Sequence, residues 1–180
     1  PNDIISNYSI NDAFDKLENA VQTWLTSDVE VASLLSGGID SNILAALADK
    51  NLNGVTTFGG ILENDHINNE ELLISFSLEK LIGKHYPIKI EDQFLEDNFF
   101  HLVDHFDDPI HDSNYFSLMA LCSKIKKDTN IKVVLCGEGA DEVFGGYDRY
   151  KYFSNIANNK YIDTLIYSYN QIAIPRLKLF

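Results

Sequence analysis

The chain has little of what would settle its class at once. It holds only two cysteines, Cys122 and Cys136, and their spacing is neither that of a zinc site nor that of a redox pair. Two reduced thiols in a cytoplasmic protein are the plain expectation. Basic residues are scarce, 14 against 27 acidic ones, for a formal net charge of -13. That balance excludes a nucleic-acid-binding face, which needs a basic field. No apolar run approaches the length of a membrane span. The opening PNDIISNYSI offers neither a basic region nor an apolar signal core. No low-complexity linker or internal repeat interrupts the chain. What remains is 180 residues, 45% of them hydrophobic, enough for a full core and for one domain or a large part of one. The first residue is proline rather than methionine, so an excised or processed piece is expected.

Apolar periodicity supplies the elements. Ile10, Ala13, Phe14, Leu17, Val21, Trp24 and Leu25 recur at helical spacing, which predicts an amphipathic helix over 10–26. Ser9 is its expected cap, with Asp12 three residues on. Further helices are expected over 41–50, 70–81, 93–106 and 113–126, and a weakly patterned one after Tyr150. Strands are expected over 29–35, 54–61, 85–90 and 131–136. Strands alternating with helices predict an α/β fold, a doubly wound, mostly parallel sheet covered on both faces. Runs such as VEVASLL and IKVVLC suit burial on both sides. In such sheets ligands bind beyond the carboxyl ends of the strands, where strand order reverses.

Two glycine-rich loops follow apolar strands. In VASLLSGGIDSNILAAL, the Ser36-Gly37-Gly38-Ile39-Asp40-Ser41 stretch joins a strand to a helix start. Glycines allow a sharp turn and a close approach to backbone amides. Unpaired amides at a helix start carry partial positive charge and hold anions, phosphate above all. Ser36 and Ser41 add hydroxyl donors. The loop has neither the lysine of the ordinary P-loop nor the G-x-G-x-x-G of dinucleotide folds. Asp40 is the odd residue, since a carboxylate repels phosphate. Either it caps the helix, or it holds a divalent cation between itself and the anion. The second loop, Cys136-Gly137-Glu138-Gly139-Ala140-Asp141-Glu142, carries three acids among glycines. Asp141 is the natural second carboxylate for one magnesium, the alternative being an acidic turn facing water.

SGGIDS followed by GEGADEVFGGYDRY resembles the synthetase domain of glutamine-dependent asparagine synthetases, as does HFDDPIHDSNYF between them. The likeness runs from about Ile10 to Tyr150. It implies an adenine-nucleotide α-hydrolase-like, pyrophosphate-loop ATPase fold. It also implies a reaction: Mg²⁺, ATP and aspartate give a β-aspartyl-adenylate and pyrophosphate, and ammonia from glutamine then yields asparagine and AMP. By this resemblance Ser36, Gly37, Gly38 and Ser41 hold pyrophosphate, and Asp40 and Asp141 hold magnesium. Leu34, Gly60, Cys136 and Gly137 line the adenosine pocket, and Glu138 stands at the reacting centre. A glutaminase domain in the parent chain is implied, and a homodimer is allowed.

The sequence departs from the family in three ways. Cys136 stands where the family has serine, and Gly60 where it has an apolar side chain, so one wall of the adenine pocket is expected to be thin. The third departure is extent. Residues 1–180 read as a core without the amino-terminal glutaminase domain or the later synthetase segment with its lysine. Rival readings are amidation or cyclisation of another carboxylate (surface-sugar, β-lactam or peptide) and a non-catalytic nucleotide-binding module. A zinc hydrolase using His101, His105 and His111 is the remote one; it lacks the general-base glutamate, Leu102 standing in its place.

Overall fold

The computed structural model describes residues 9–63, 70–106 and 114–147. The chain divides into two compact units, Pro1–Gly137 and Glu138–Phe180. The first opens with α1 (Ile10–Trp24), β1 (Val31–Leu34), α2 (Ile39–Leu52) and β2 (Thr56–Leu62). It continues through α3 (Glu70–Leu78), β3 (His85–Ile90), α4 (Asp92–Phe106), α5 (Asn114–Asp128) and β4 (Val133–Leu135). The second unit contributes one short helix, α6 (Ala140–Phe144). The segment 107–113, the Asp148–Tyr150 end of the second motif and the tail beyond it lie outside the described residues. Among the described residues no helix is long and apolar enough to cross a membrane.

All four strands pair in parallel, in the order β3-β2-β1-β4. Side chains alternate across the sheet and separate two cores. On one face Ala32, Phe58, Ile88 and Ile90 pack with Ala120, Leu121 and Ile125 of α5, and with Phe94 and Leu95 of α4. On the other, Val31, Val55 and Leu135 meet Ala48 of α2, while Leu35 and Ala45 meet Ile74 of α3. The doubly wound α/β sheet expected from the alternating pattern is the one observed.

Element ends moved for local reasons. Β1 begins two residues later than its apolar run because the amide of Val29 is taken by Ser27 Oγ at 3.2 Å. Β4 is cut short at its start because Thr129 Oγ1 accepts from the Ile131 amide at 3.1 Å. Α1 has the expected capping box: Ser9 Oγ accepts from the Asp12 amide at 3.1 Å, and Asp12 Oδ2 accepts from the Ser9 amide at 2.8 Å. Those bonds hold the Asp12 carboxyl below the usual carboxylate range. The apolar stripe of α1 is less buried than its spacing suggests. Val21 is buried, but Ile10 is 89% and Trp24 65% exposed. The helix packs chiefly against α2 rather than on the sheet, so the outer edge of its stripe meets solvent.

One buried acid ties this unit together. Asp49, 4% exposed near the end of α2, accepts from the amides of Val55 at 2.9 Å, Ile82 at 2.8 Å and Gly83 at 2.9 Å. It thereby joins the end of α2 to the approaches of β2 and β3.

Candidate functional site

The strand order makes the crevice. The chain steps from β1 to β2 to β3 in one direction, then returns to place β4 on the other side of β1. Strand order therefore reverses between β1 and β4, where Ser33 is paired with Leu135. The space beyond the carboxyl ends of these two strands is the expected ligand position. The Ser36–Ser41 loop leaves β1 there, and Gly137 leaves β4 there. A β-carbon on Gly137 would come within 3.3 Å of the Ser41 amide nitrogen and 3.4 Å of Asp40 Cβ. The end of β4 thus lies directly against the first turn of α2.

The loop is built to expose its amides. Gly37 has φ +80°, and a β-carbon there would meet Leu73 Cβ of α3 at 2.6 Å. Only glycine fits both the backbone and the neighbour. Gly38 is the N-cap of α2, and no side chain bonds to it as a cap. The first-turn amides of a 14-residue helix are left to an outside acceptor. Ser41 is buried, and its Oγ donates to Gly38 O at 3.0 Å and accepts from the Ser36 amide at 3.2 Å. The two serine hydroxyls lie 3.0 Å apart. Before any ligand arrives, they brace the loop. Asn42, which no local motif singles out, adds a bond from its Nδ2 to Gly38 O at 2.9 Å.

Asp40 is half-buried in the first turn of α2 and makes no hydrogen bond or ion pair among the described residues. The cap is Gly38, so capping does not account for this carboxylate. Its position is favourable for a negative charge, because the helix dipole points its positive end there.

The adenosine-pocket residues expected from the resemblance lie around the same strand ends. Leu34 is half-buried against the Ala32–Phe58 core. At Gly60 on β2 a β-carbon would meet Ile90 Cδ1 at 3.0 Å and both Leu121 δ-carbons at 3.6 Å, so a side chain there would stand on the face packed by these two buried residues. Cys136 is exposed. Burial pushes the Cys122 thiol up, and the nearby Cys136 adds to the shift.

In the second unit, Gly139 with φ +88° opens α6 and Gly145 with φ +70° closes it. The amides of Gly145 and Gly146 both donate to Asp141 O, the latter at 3.0 Å. Glu138 is exposed and Asp141 half-buried. Glu142 accepts from Tyr147 Oη at 2.8 Å, a pairing the sequence did not signal. His101 and His105 lie one turn apart on α4, both exposed, and His111 is outside the described residues. Among the described residues no group of three His, Cys, Asp or Glu side chains is arranged to hold a metal.

The family model described as asparagine synthase matches residues 13–176. Asparagine synthetase (glutamine-hydrolysing) 1 of Bacillus subtilis is 30% identical over 146 residues, covering 79% of this chain and 22% of that protein. Amidase chyE of Penicillium rubens is 30% identical over 150 residues, covering 76% of this chain and 22% of that protein. The chain thus spans about a fifth of the length of these curated relatives. Among solved structures, the NMN synthetase of Francisella tularensis superposes with a TM-score of 0.50 at 24% identity, over 78% of this chain and 59% of that one. That likeness speaks to the fold, the adenine-nucleotide α-hydrolase arrangement.

Proposed function

The chain belongs to the asparagine synthase family, and from that premise we propose that it carries the ATP-binding core of an ATP-dependent amide-forming ligase. In the finer reading, aspartate is the acceptor. Its β-carboxylate displaces pyrophosphate from ATP to give a β-aspartyl-adenylate, and ammonia displaces AMP to give asparagine. Ammonia would come from glutamine, hydrolysed by a separate domain.

What carries the reading is the uncapped start of α2, with its first-turn amides, at the reversal of strand order, entered through the left-handed turn at Gly37. Those amides suit a pyrophosphate group that leaves, where a transferred phosphoryl group would call for the P-loop lysine. Gly137 keeps the end of β4 close to this loop without covering it. Leu34, Gly60 and Cys136 would meet the adenosine, with Ile90 and Leu121 behind Gly60. Magnesium takes carboxylate oxygens of the kind Asp40 and Asp141 carry, and in this reading these two would hold it; Asp40 has no partner among the described residues. When bound, the ion would neutralise pyrophosphate charge. Glu138 would stand at the reacting carboxylate and ammonia.

Amidation of a different carboxylate is the second reading, favoured by the likeness to a protein named an amidase. One experiment separates these. In the full-length protein, exchange of labelled pyrophosphate into ATP should require the carboxylate that is activated. Exchange with aspartate supports the finer reading; exchange only with another carboxylate supports the second. No exchange with any carboxylate, alongside intact ATP binding, would leave a nucleotide-binding module.

A further inference from the structure

Three glycines punctuate the second acidic loop after Gly137, and they do different work. Gly139 and Gly145 take left-handed backbone angles, φ +88° and +70°, that other residues resist. Gly146 is not in that region. No left-handed φ calls for glycine there, so what distinguishes the position is the space beside it.

The space is taken by Asp141. A β-carbon on Gly146 would fall on Asp141 Oδ1, well inside contact distance, and within 3.0 Å of its Cγ. The Gly146 amide also donates to Asp141 O at 3.0 Å. The main chain of Asp141 is thus anchored to the turn while its carboxylate lies over the bare Cα of Gly146. The adjacent acid is drawn elsewhere, since Glu142 accepts from Tyr147 at 2.8 Å. Two neighbouring carboxylates of one short helix are held apart by two different residues of the turn that follows.

We propose that Gly146 is a positioning residue for the Asp141 carboxylate: its missing side chain sets where that carboxylate rests. The proposal rests on the reading of Asp141 as a magnesium-binding carboxylate. A methyl group at Gly146 would overlap the end of a short side chain, while the nearest backbone atom, Asp141 Cα, would stand at 3.4 Å, an ordinary contact. The carboxylate can swing to another rotamer, so the turn survives and only the position of the charge is lost. A metal donor displaced by an ångström or more no longer meets the narrow octahedral demands of Mg²⁺.

The test compares Gly146→Ala, Asp141→Ala and the double variant of the full-length protein, by calorimetry of ATP binding with and without MgCl₂. The gain in ATP affinity that MgCl₂ confers should vanish in Asp141→Ala. In Gly146→Ala it should fall by about tenfold or more, with metal-free ATP affinity kept and the ligand-free melting midpoint within about 2 °C of the parent. The double variant should be no worse than Asp141→Ala, because the glycine acts through the carboxylate. Should Gly146→Ala keep the full gain while Asp141→Ala loses it, the positioning role is wrong and the metal reading stands. If Asp141→Ala keeps the gain, the metal reading fails and the proposal with it. A large fall in melting midpoint for Gly146→Ala would make it a folding glycine and overturn the proposal equally.

Discussion

Gly137 and Asp40 stand almost a hundred residues apart in sequence, yet a β-carbon on the first would lie 3.4 Å from Cβ of the second. That closeness brings the end of one strand against the helix that follows another. It leaves little room at residue 137, where a β-carbon would already stand 3.3 Å from the Ser41 amide nitrogen. Gly137→Val would press on the rigid backbone of Ser41 and part β4 from α2. A stability loss of roughly 1–3 kcal/mol is expected from overpacking, together with a larger proportional loss of ATP affinity. Denaturant titration and calorimetry report the two separately. Unchanged ATP affinity would mean that nucleotide does not use this crevice.

Gly37 carries a double constraint, its left-handed backbone and its approach to Leu73. Gly37→Ala should cost roughly 2–4 kcal/mol, the sum of the backbone strain and the overlap. The overlap is with Cβ of Leu73, an atom that alanine also has. Adding Leu73→Ala should therefore not restore the loss. Recovery of stability in the double variant would show that the strain lies elsewhere.

Asp49 predicts a purely structural effect. Its carboxylate serves three amides in the interior. Asp49→Ala leaves all three without an acceptor and should cost roughly 3–5 kcal/mol. Asp49→Asn keeps one oxygen and turns an amide against the remaining donor, so about 1–3 kcal/mol is expected. Urea unfolding should rank the parent, asparagine and alanine forms in that order. If alanine proved as stable as asparagine, these hydrogen bonds would not be what joins α2 to β2 and β3.

His85 links stability to pH. Burial pushes its pKa below the ordinary value of about 6.5. Thr57 Oγ1 lies 2.9 Å from its Nδ1. Between the lowered folded value and 6.5 the unfolded chain binds the extra proton, so stability rises with pH across that window. The contribution of His85 is present above about pH 6.5 and is lost as pH falls through the folded pKa. Carbon-bound proton shifts of the His85 ring should titrate below the free-histidine value. His85→Gln should flatten the stability profile in that range; an unchanged profile would remove His85 as its source.

Glu138 is expected to act on the reacting groups rather than on the nucleotide. Glu138→Gln in the full-length protein should keep ATP affinity while amide formation drops by about 10²–10⁴-fold, the usual weight of a positioned acid or base. Measuring AMP and amide product together decides it. Normal turnover would exclude the role.

The sequence by itself determined the class and the ingredients. Period-2 and period-3.6 apolar patterns depend on neighbours a few residues apart, so every described strand and long helix was legible. Even the Ser9–Asp12 capping box could be read, because both partners lie within four residues. The SGGIDS loop was legible for the same reason, as a local break in composition between two buried runs. Tertiary structure alone decided which strands became neighbours. Strand pairing is a competition between distant edges, and no local pattern says that β4 returns beside β1. That choice brought Gly137, at the end of β4, to Asp40 at the start of α2. It also set Ile90 and Leu121 beside Gly60, gave Asp49 its three donors, and left much of the α1 stripe in solvent. Each depends on atoms from separate elements meeting in space, and a pattern along one segment does not record what that segment will meet.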